Sequence, residues 1–435
     1  MNKVLIITYY WPPSGGAAVQ RWLSFANNLS KNGWDVHLLT VDEKYATYQL
    51  TDKSLLDQID PRIKVYKTKT VEPFKIFALL FGRDSIPKPA FSNETNPSVV
   101  KKFFRFIRGN FFIPDPRKGW KKFAVSKANE IIDKETIKCV ITAGPPHSTH
   151  FIGKRLKEKK KVFWVTDFHD LWTDVIYYES LFHLPVVRKI DLKLERLVLE
   201  ECDLIITVGE KYKEKLLTKS EKLSGKKIEI LRIGYEDSLF QNGTSNVQSD
   251  FIITYTGSIA DFYRPEILIY ALRTIRIKYP KLPMKLRFIG VLSTGIRNTI
   301  IKAGLESILE VHGYLPHTQS IEYLKTSTVL LLVNPVTKDE QMVIPGKIYE
   351  YLAAHKPIIN ITKTSSETSD IVSMCEAGKT FDRNMQWQLE NYLETLIKEW
   401  TVSNTLDIVS NEEIVWRFSR TAITNHLIDV LGPLV

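Results

Sequence analysis

Apolar residues recur along this chain in two patterns, short unbroken runs and stripes at helical spacing, and the two alternate from one end to the other. Short apolar runs bounded by turn residues predict buried strands, and apolar positions at i, i+3, i+4 predict helices. Residues 4–8 are such a run, followed by the loop Trp11-Pro12-Pro13-Ser14-Gly15-Gly16. Val19, Trp22, Leu23, Ala26 and Leu29 then share one helical face, Gly33 closes that helix, and residues 36–40 form a second strand. Further strands are predicted at 63–66, 137–142, 162–165 and 203–208, with a closing strand and turn over 228–235 and a helix ending over 195–201. After the polar stretch 236–250 the pattern starts again. Strands at 251–256, 285–289, 308–311, 328–333 and 357–360 are interleaved with helices at 267–275 and 347–354. Trp416, Phe418, Ile423, Leu427 and Leu431 predict one amphipathic helix near the end. Strands alternating with helices predict an α/β protein with parallel sheets. At 435 residues the chain exceeds one ordinary core. The expected division is a domain at 1–235, a linker at 236–250, a second domain at 251–412 and a terminal helix at 413–435.

Candidate chemistry gathers where strands end. Pro345-Gly346 breaks the chain after the strand at 328–333, at the carboxyl end of a parallel strand, where open α/β sheets bind ligands. Free N–H groups and the positive helix end favour a phosphate there. Lys347 and Glu350, three apart, share the first helical turn. The pair suits a phosphate and ribose hydroxyls; an ordinary surface ion pair accounts for the same spacing. Gly15-Gly16 lies at the first strand-to-helix turn without a G-x-G-x-x-G fingerprint. The pair lets the backbone approach a phosphate or sugar closely, or simply makes a tight turn. His147, in Ala143-Gly-Pro-Pro-His-Ser-Thr-His150, follows a strand end where this class of fold places catalysis. Asp170, in Thr166-Asp-Phe-His-Asp-Leu-Trp172, is the second catalytic candidate, and a loop cap is the alternative reading of His147.

Composition narrows the field. Mean hydropathy is −0.14, and no apolar run approaches the ~18 residues needed to span a bilayer. Residues 4–10 are too short for a signal peptide. Cys139, Cys202 and Cys375 are scattered without metal spacing, which fits core thiols in a reducing compartment. The net charge of +11 is uneven: residues 101–123 carry eight basic residues, one acid and seven aromatics. Lys101, Lys102, Arg105 and Arg108 amid phenylalanines suit an anionic membrane surface. Nucleic acid is the competing partner, and buried rings with solvated lysines are the third reading.

Residues 345–358 resemble the donor-site segment of retaining, family-four nucleotide-sugar glycosyltransferases with the GT-B fold. Residues 11–34 resemble the amino-terminal signature of the same family, and 143–172 resemble its surface-polysaccharide subgroup. The resemblance implies two Rossmann-like domains facing across a cleft, with the terminal helix crossing back to the first. It implies transfer of a sugar from a nucleotide-diphosphate sugar to a saccharide or lipid-linked acceptor, with no cofactor. Gly257 and Gly290 would lie under the nucleotide, Glu350 at the ribose, and Gly15 and Gly16 facing the diphosphate. Arg264 matches one of two basic residues at the diphosphate, and Lys347 is expected to replace the other. The family's first motif glutamate falls at Met342, with Glu340 two positions early, so the donor sugar stays unnamed. His169 replaces a usual arginine, Leu171 a usual proline and Ile233 a usual asparagine. No D-x-D pair occurs, which favours a route without a metal. A lipid-linked acceptor favours the membrane reading over nucleic acid and sets the chain at the inner face of the membrane, in the cytoplasm. A nucleotide-sugar epimerase of the same fold competes, as does a non-catalytic basic binder, which leaves the phosphate-type loops unexplained.

Overall fold

The computed structural model describes residues 2–48, 50–72, 99–240, 249–406 and 410–434. The chain forms two compact units, one of Met1–Arg232 with Ile423–Val435, the other of Ile233–Ala422.

The first unit is built on a parallel sheet of β1 (Lys3–Thr8), β2 (Asp35–Val41), β3 (Lys64–Thr68), β4 (Cys139–Gly144), β5 (Phe163–Phe168), β6 (Leu204–Thr207) and β7 (Ile228–Ile230). Their order is β3-β2-β1-β4-β5-β6-β7, with Val4 opposite Val36 on one side and Cys139 on the other. The central strands are buried along nearly their whole length, so they read as continuous apolar runs rather than alternating ones. Trp22, Phe25 and Leu29 of the helix Ala17–Lys31 cover one face. Trp120, Ala124 and Ile131 cover the other.

The second unit repeats the plan with β8 (Phe251–Thr256), β9 (Met284–Ile289), β10 (Leu309–Gly313), β11 (Val329–Val333), β12 (Ile358–Ile361) and β13 (Gly378–Phe381), in the order β10-β9-β8-β11-β12-β13. Its faces are covered by Leu268, Leu272, Leu393 and Trp400 on one side and by Ile348, Tyr349 and Leu352 on the other. Each sheet therefore reverses its strand order once, between β1 and β4 and between β8 and β11, which is the Rossmann-like plan.

Three expectations need correction. The first unit ends at Arg232 rather than at residue 235, because Tyr235 is stitched to the end of the second unit: its N–H donates to Phe418 O (3.1 Å) and its carbonyl accepts from Arg420 N (2.9 Å). That same bridge splits the single helix expected at 413–431 into Glu412–Trp416 and Arg420–Leu431. Asn411 caps the first of these by accepting from Ile414 N. Ile423, Leu427 and Leu431 of the second join the core of the first unit. Of the linker, residues 241–248 lie outside the described residues.

The third correction concerns the basic stretch. Val99–Phe111 is a helix, and its periodicity divides the four expected surface cations. Lys102 and Phe103 are exposed, Arg105 is buried and Arg108 is half-buried. The side chain of Lys101 lies outside the described residues.

Candidate functional site

In open α/β sheets the crevice for a ligand lies outside the carboxyl ends of the strands, where the strand order reverses. In the second unit those ends belong to β8 and β11. β8 runs into Gly257, whose φ of 93° belongs to the left-handed region that glycine adopts without strain. A side chain here would also crowd Lys347, whose Nζ stands 3.0 Å from the position of an added Cβ. Gly290, at the end of β9, packs so closely that an added Cβ would lie 2.4 Å from the carbonyl oxygen of Gly257. The two glycines thus form one tight layer beneath the loop.

Lys347 opens the helix Lys347–Ala353 and reaches back over that layer. Its ammonium donates to the carbonyl of Thr256 and sits 3.8 Å from the centroid of the Tyr255 ring. Burial lowers its pKa to about 7, with the Glu350 charge opposing the shift. The lysine is therefore poised to take up a full charge when an anion arrives. Glu350 turns another way and pairs with His317 at 2.7 Å; that hydrogen bond raises the His317 pKa. Lys347 and Glu350 form no ion pair with one another among the described residues, which removes the reading of this turn as an ordinary surface pair. Arg264 is exposed with φ 53°, close after β8, and its guanidinium has no ion pair among the described residues.

Glu340 lies 1% exposed rather than at the ligand loop's surface. It accepts from Arg383 (2.7 Å) and Thr362 (3.1 Å). Arg383 also donates to the carbonyls of Asn334 (2.7 Å) and Tyr263 (3.1 Å), tying together the loops that follow β8 and β11. Sequence reasoning missed Arg383, which stands some forty residues from its carboxylate with no local motif to mark it.

In the first unit the corresponding ends belong to β1 and β4. Gly16 caps the helix Ala17–Lys31 with φ 111° and open space around it. Gly15 has a packing reason instead, since a Cβ there would press on Leu50 at 3.1 Å. After β4, His147 is buried and stacks face to face on Trp172 at 5.0 Å and 4°. Gly144 makes this possible: a Cβ on it would fall 2.6 Å from His150 Nε2 and 3.0 Å from His147 Nδ1. Burial lowers the His147 pKa to about 3, so its ring is neutral, and Nδ1 has no partner among the described residues. A neutral imidazole with a spare nitrogen can accept from or donate to a hydroxyl.

Trp172 is itself held by Asp191, which accepts its indole N–H at 2.8 Å. Asp170 precedes it in the same loop, half-buried, its pKa pushed up to about 6 by burial and by the Asp167 charge. Asp167, near the end of β5, pairs with Arg21 and also accepts from Trp22 Nε1 at 2.7 Å. Neither Arg21 nor Asp191 was singled out from sequence, because each lies on a helix whose stripe reads as core. Ser148, next to His147, donates from N (2.7 Å) and Oγ (2.8 Å) to Asp115. Those bonds hold the turn through Ser148 and do not use the His147 imidazole.

Asp35, His37 and Glu135 form a group with metal-ligating spacing among the described residues. It sits at the amino end of β2, away from these loops, and Lys64 lies 3.1 Å from Asp35 as a cation already in place.

No protein-family model matches the chain, and no curated protein matches its sequence. Solved structures do match its fold. Sucrose-phosphate synthase from Thermosynechococcus elongatus is 15% identical, with 100% of this chain and 99% of that one covered at a TM-score of 0.61. Anabaena HepE in complex with UDP-glucose is 13% identical, with 99% and 100% covered at 0.59. A glycosyltransferase from Rickettsia africae is 13% identical, with 100% and 98% covered at 0.62. The likeness extends over both units and identifies the fold as two Rossmann-like α/β domains of the GT-B kind.

Proposed function

We propose that this chain is a glycosyltransferase that moves a sugar from a nucleotide-diphosphate sugar to a saccharide or lipid-linked acceptor. The observation that carries this is Lys347, a buried lysine whose pKa is lowered to about 7, placed at the strand-order reversal of the second sheet over the layer formed by Gly257 and Gly290. Such a cation gains most from a group that becomes more anionic during the reaction, and a departing diphosphate does so. HepE, of the same fold, is solved with UDP-glucose. In this reading Lys347 and Arg264 stabilise the leaving diphosphate, and Glu350 accepts from the ribose. His147 and Asp170 orient the sugar and the acceptor hydroxyl.

Transfer with retention is assigned to a short-lived ion pair in which the diphosphate takes the acceptor's proton, so no carboxylate nucleophile is named. Lys347 and Arg264 fill the charge role that a metal otherwise fills, and no cofactor is invoked. Assembly of a surface polysaccharide is the setting proposed. The test is a panel of nucleotide sugars incubated with the protein, followed for slow donor hydrolysis and for transfer to added glycosides. Isomerised sugar nucleotide without hydrolysis would identify an epimerase instead, and no turnover of any donor would remove the enzyme reading.

We also propose peripheral attachment to an anionic membrane face, on a surface redrawn from the one expected. No helix among the described residues is long and apolar enough to cross a membrane. Lys102, Phe103 and Phe111 are exposed on the helix Val99–Phe111. Asn110 ties that helix to the next exposed segment by donating to Phe182 O (3.1 Å) and accepting from Leu184 N (2.7 Å). Val186, Lys189, Ile190 and Lys193 of the helix Pro185–Glu201 are exposed there as well. Cations for headgroups thus alternate with apolar side chains for the interface.

A further inference from the structure

The β13 edge of the second sheet carries a groove of about 540 Å³ between the helices Glu367–Met374 and Gln386–Ser403. That volume falls within the ~300–1,000 Å³ of small-molecule sites. Trp387 lines it and is 70% exposed. Tyr392 lines the groove, its ring held 5.6 Å from Phe381. Gln388, Asn391 and Thr395 follow on the same helical face, and Ser373 lines the wall from the other helix.

Two acids of the helix Gln386–Ser403 that lie beside the groove are engaged elsewhere. Glu394 pairs with Lys278 at 2.6 Å and Glu390 accepts from Thr274 at 3.1 Å, both away from the groove. Lys379 is the one charged side chain among the groove's lining residues, and its Nζ lies 4.9 Å from the centroid of the Tyr392 ring. The side-chain amides of Gln388 and Asn391 are exposed and spend no hydrogen bond on the protein among the described residues. An anionic ligand would find one cation, already over a ring. A wholly apolar ligand would leave the amides and hydroxyls it covers without partners. A pyranose satisfies both: its C–H face lies on an indole, and its ring of hydroxyls meets amides and hydroxyls.

We propose that this groove binds a neutral oligosaccharide, as a holding site for acceptor glycan separate from the loops of Gly257 and Lys347. The acceptor role rests on the glycosyltransferase reading, whereas saccharide binding does not. Holding part of a long acceptor raises the local concentration of its end. The Michaelis constant should therefore fall as the acceptor lengthens, with kcat unchanged.

The test is calorimetric titration of the full chain with maltohexaose, cellohexaose and chitohexaose, without nucleotide. At least one should bind saturably in the millimolar range. Trp387→Ala should weaken it tenfold or more, as should the double change Gln388→Ala with Asn391→Ala, while Lys347→Ala leaves it unchanged. Thermal melts of each variant check that the fold is intact, and the two independent variants guard against one failing to fold. Absence of binding by all three sugars, or binding indifferent to both variants, overturns the proposal. Donor hydrolysis is measured separately on the same protein. Hydrolysis without saccharide binding sinks the groove and leaves the transferase standing. Saccharide binding without hydrolysis of any donor supports the groove and removes its acceptor role.

Discussion

Lys347 shows how a single side chain carries both a cost and a use. Its pKa is lowered from 10.5 to about 7, so the folded chain binds fewer protons than the unfolded chain between those values. Stability therefore rises with pH through that window. Binding of a diphosphate restores the proton, so affinity for UDP should decline as pH rises above about 7, with proton uptake measurable by calorimetry in buffers of different ionisation heat. Lys347→Met should flatten that slope and raise the melting temperature most below pH 7. A slope that survives the substitution would detach the lysine from the phosphate. In turnover, Lys347→Ala should cost ~100-fold in kcat, whereas Glu350→Gln should mainly raise the donor KM. Asp170 has the opposite linkage. Its pKa is raised from 3.8 to about 6, so the folded chain holds a proton that the unfolded chain releases, and stability falls as pH rises through that range. Asp170→Asn should then stabilise the protein by ~1–3 kcal/mol at pH 7.5 and by almost nothing at pH 3.5, while slowing transfer. A variant neither slower nor more stable would make Asp170 an ordinary loop residue. Spacing was enough to single out Lys347 and Glu350, but not to show that one turns inward to Thr256 and the other outward to His317.

Elements built on long apolar runs were readable, because burial on both faces leaves little freedom in composition; β8 was placed to the residue at 251–256. β13 was not, since Gly378-Lys-Thr-Phe381 is short, half polar and lies at the sheet edge. The helix Val99–Phe111 was read by composition alone, which counts cations without giving their direction. Its phase sorts them, and the sorting is testable. Changing Lys102, Lys189 and Lys193 together to Ser should reduce co-sedimentation with anionic liposomes at low salt, at ~1 kcal/mol for each cation near the surface. Arg105→Ser should instead lower the melting temperature with little direct effect on liposome binding, because Arg105 is buried. Liposome binding unchanged in the triple variant would remove the membrane surface.

The strand order β3-β2-β1-β4-β5-β6 and its repeat as β10-β9-β8-β11-β12-β13 follow from the alternation of strands and helices together with right-handed crossovers, so the plan of each unit was legible. The exact division was not, because the Tyr235–Ser419 bridge depends on contacts far apart in the chain. Residues 423–435 belong with the first unit, and their removal should be felt there. Ending the chain after Ala422 should strip Ile423, Leu427 and Leu431 from the core around Leu29. Amide exchange should then speed up in residues 1–232 while 233–422 keep their protection. Equal loss in both units would mean that the division is not a boundary of stability.

That division also sets a schedule for synthesis. A ribosome delivers residues 1–232 before residues 233–422, and the helical segment that completes their core follows only after both. Residues 233–422 emerge complete before it, and domains generally fold as units while the chain is being made. The part made first therefore lacks Ile423, Leu427 and Leu431 from its core for as long as the part made second is being synthesised.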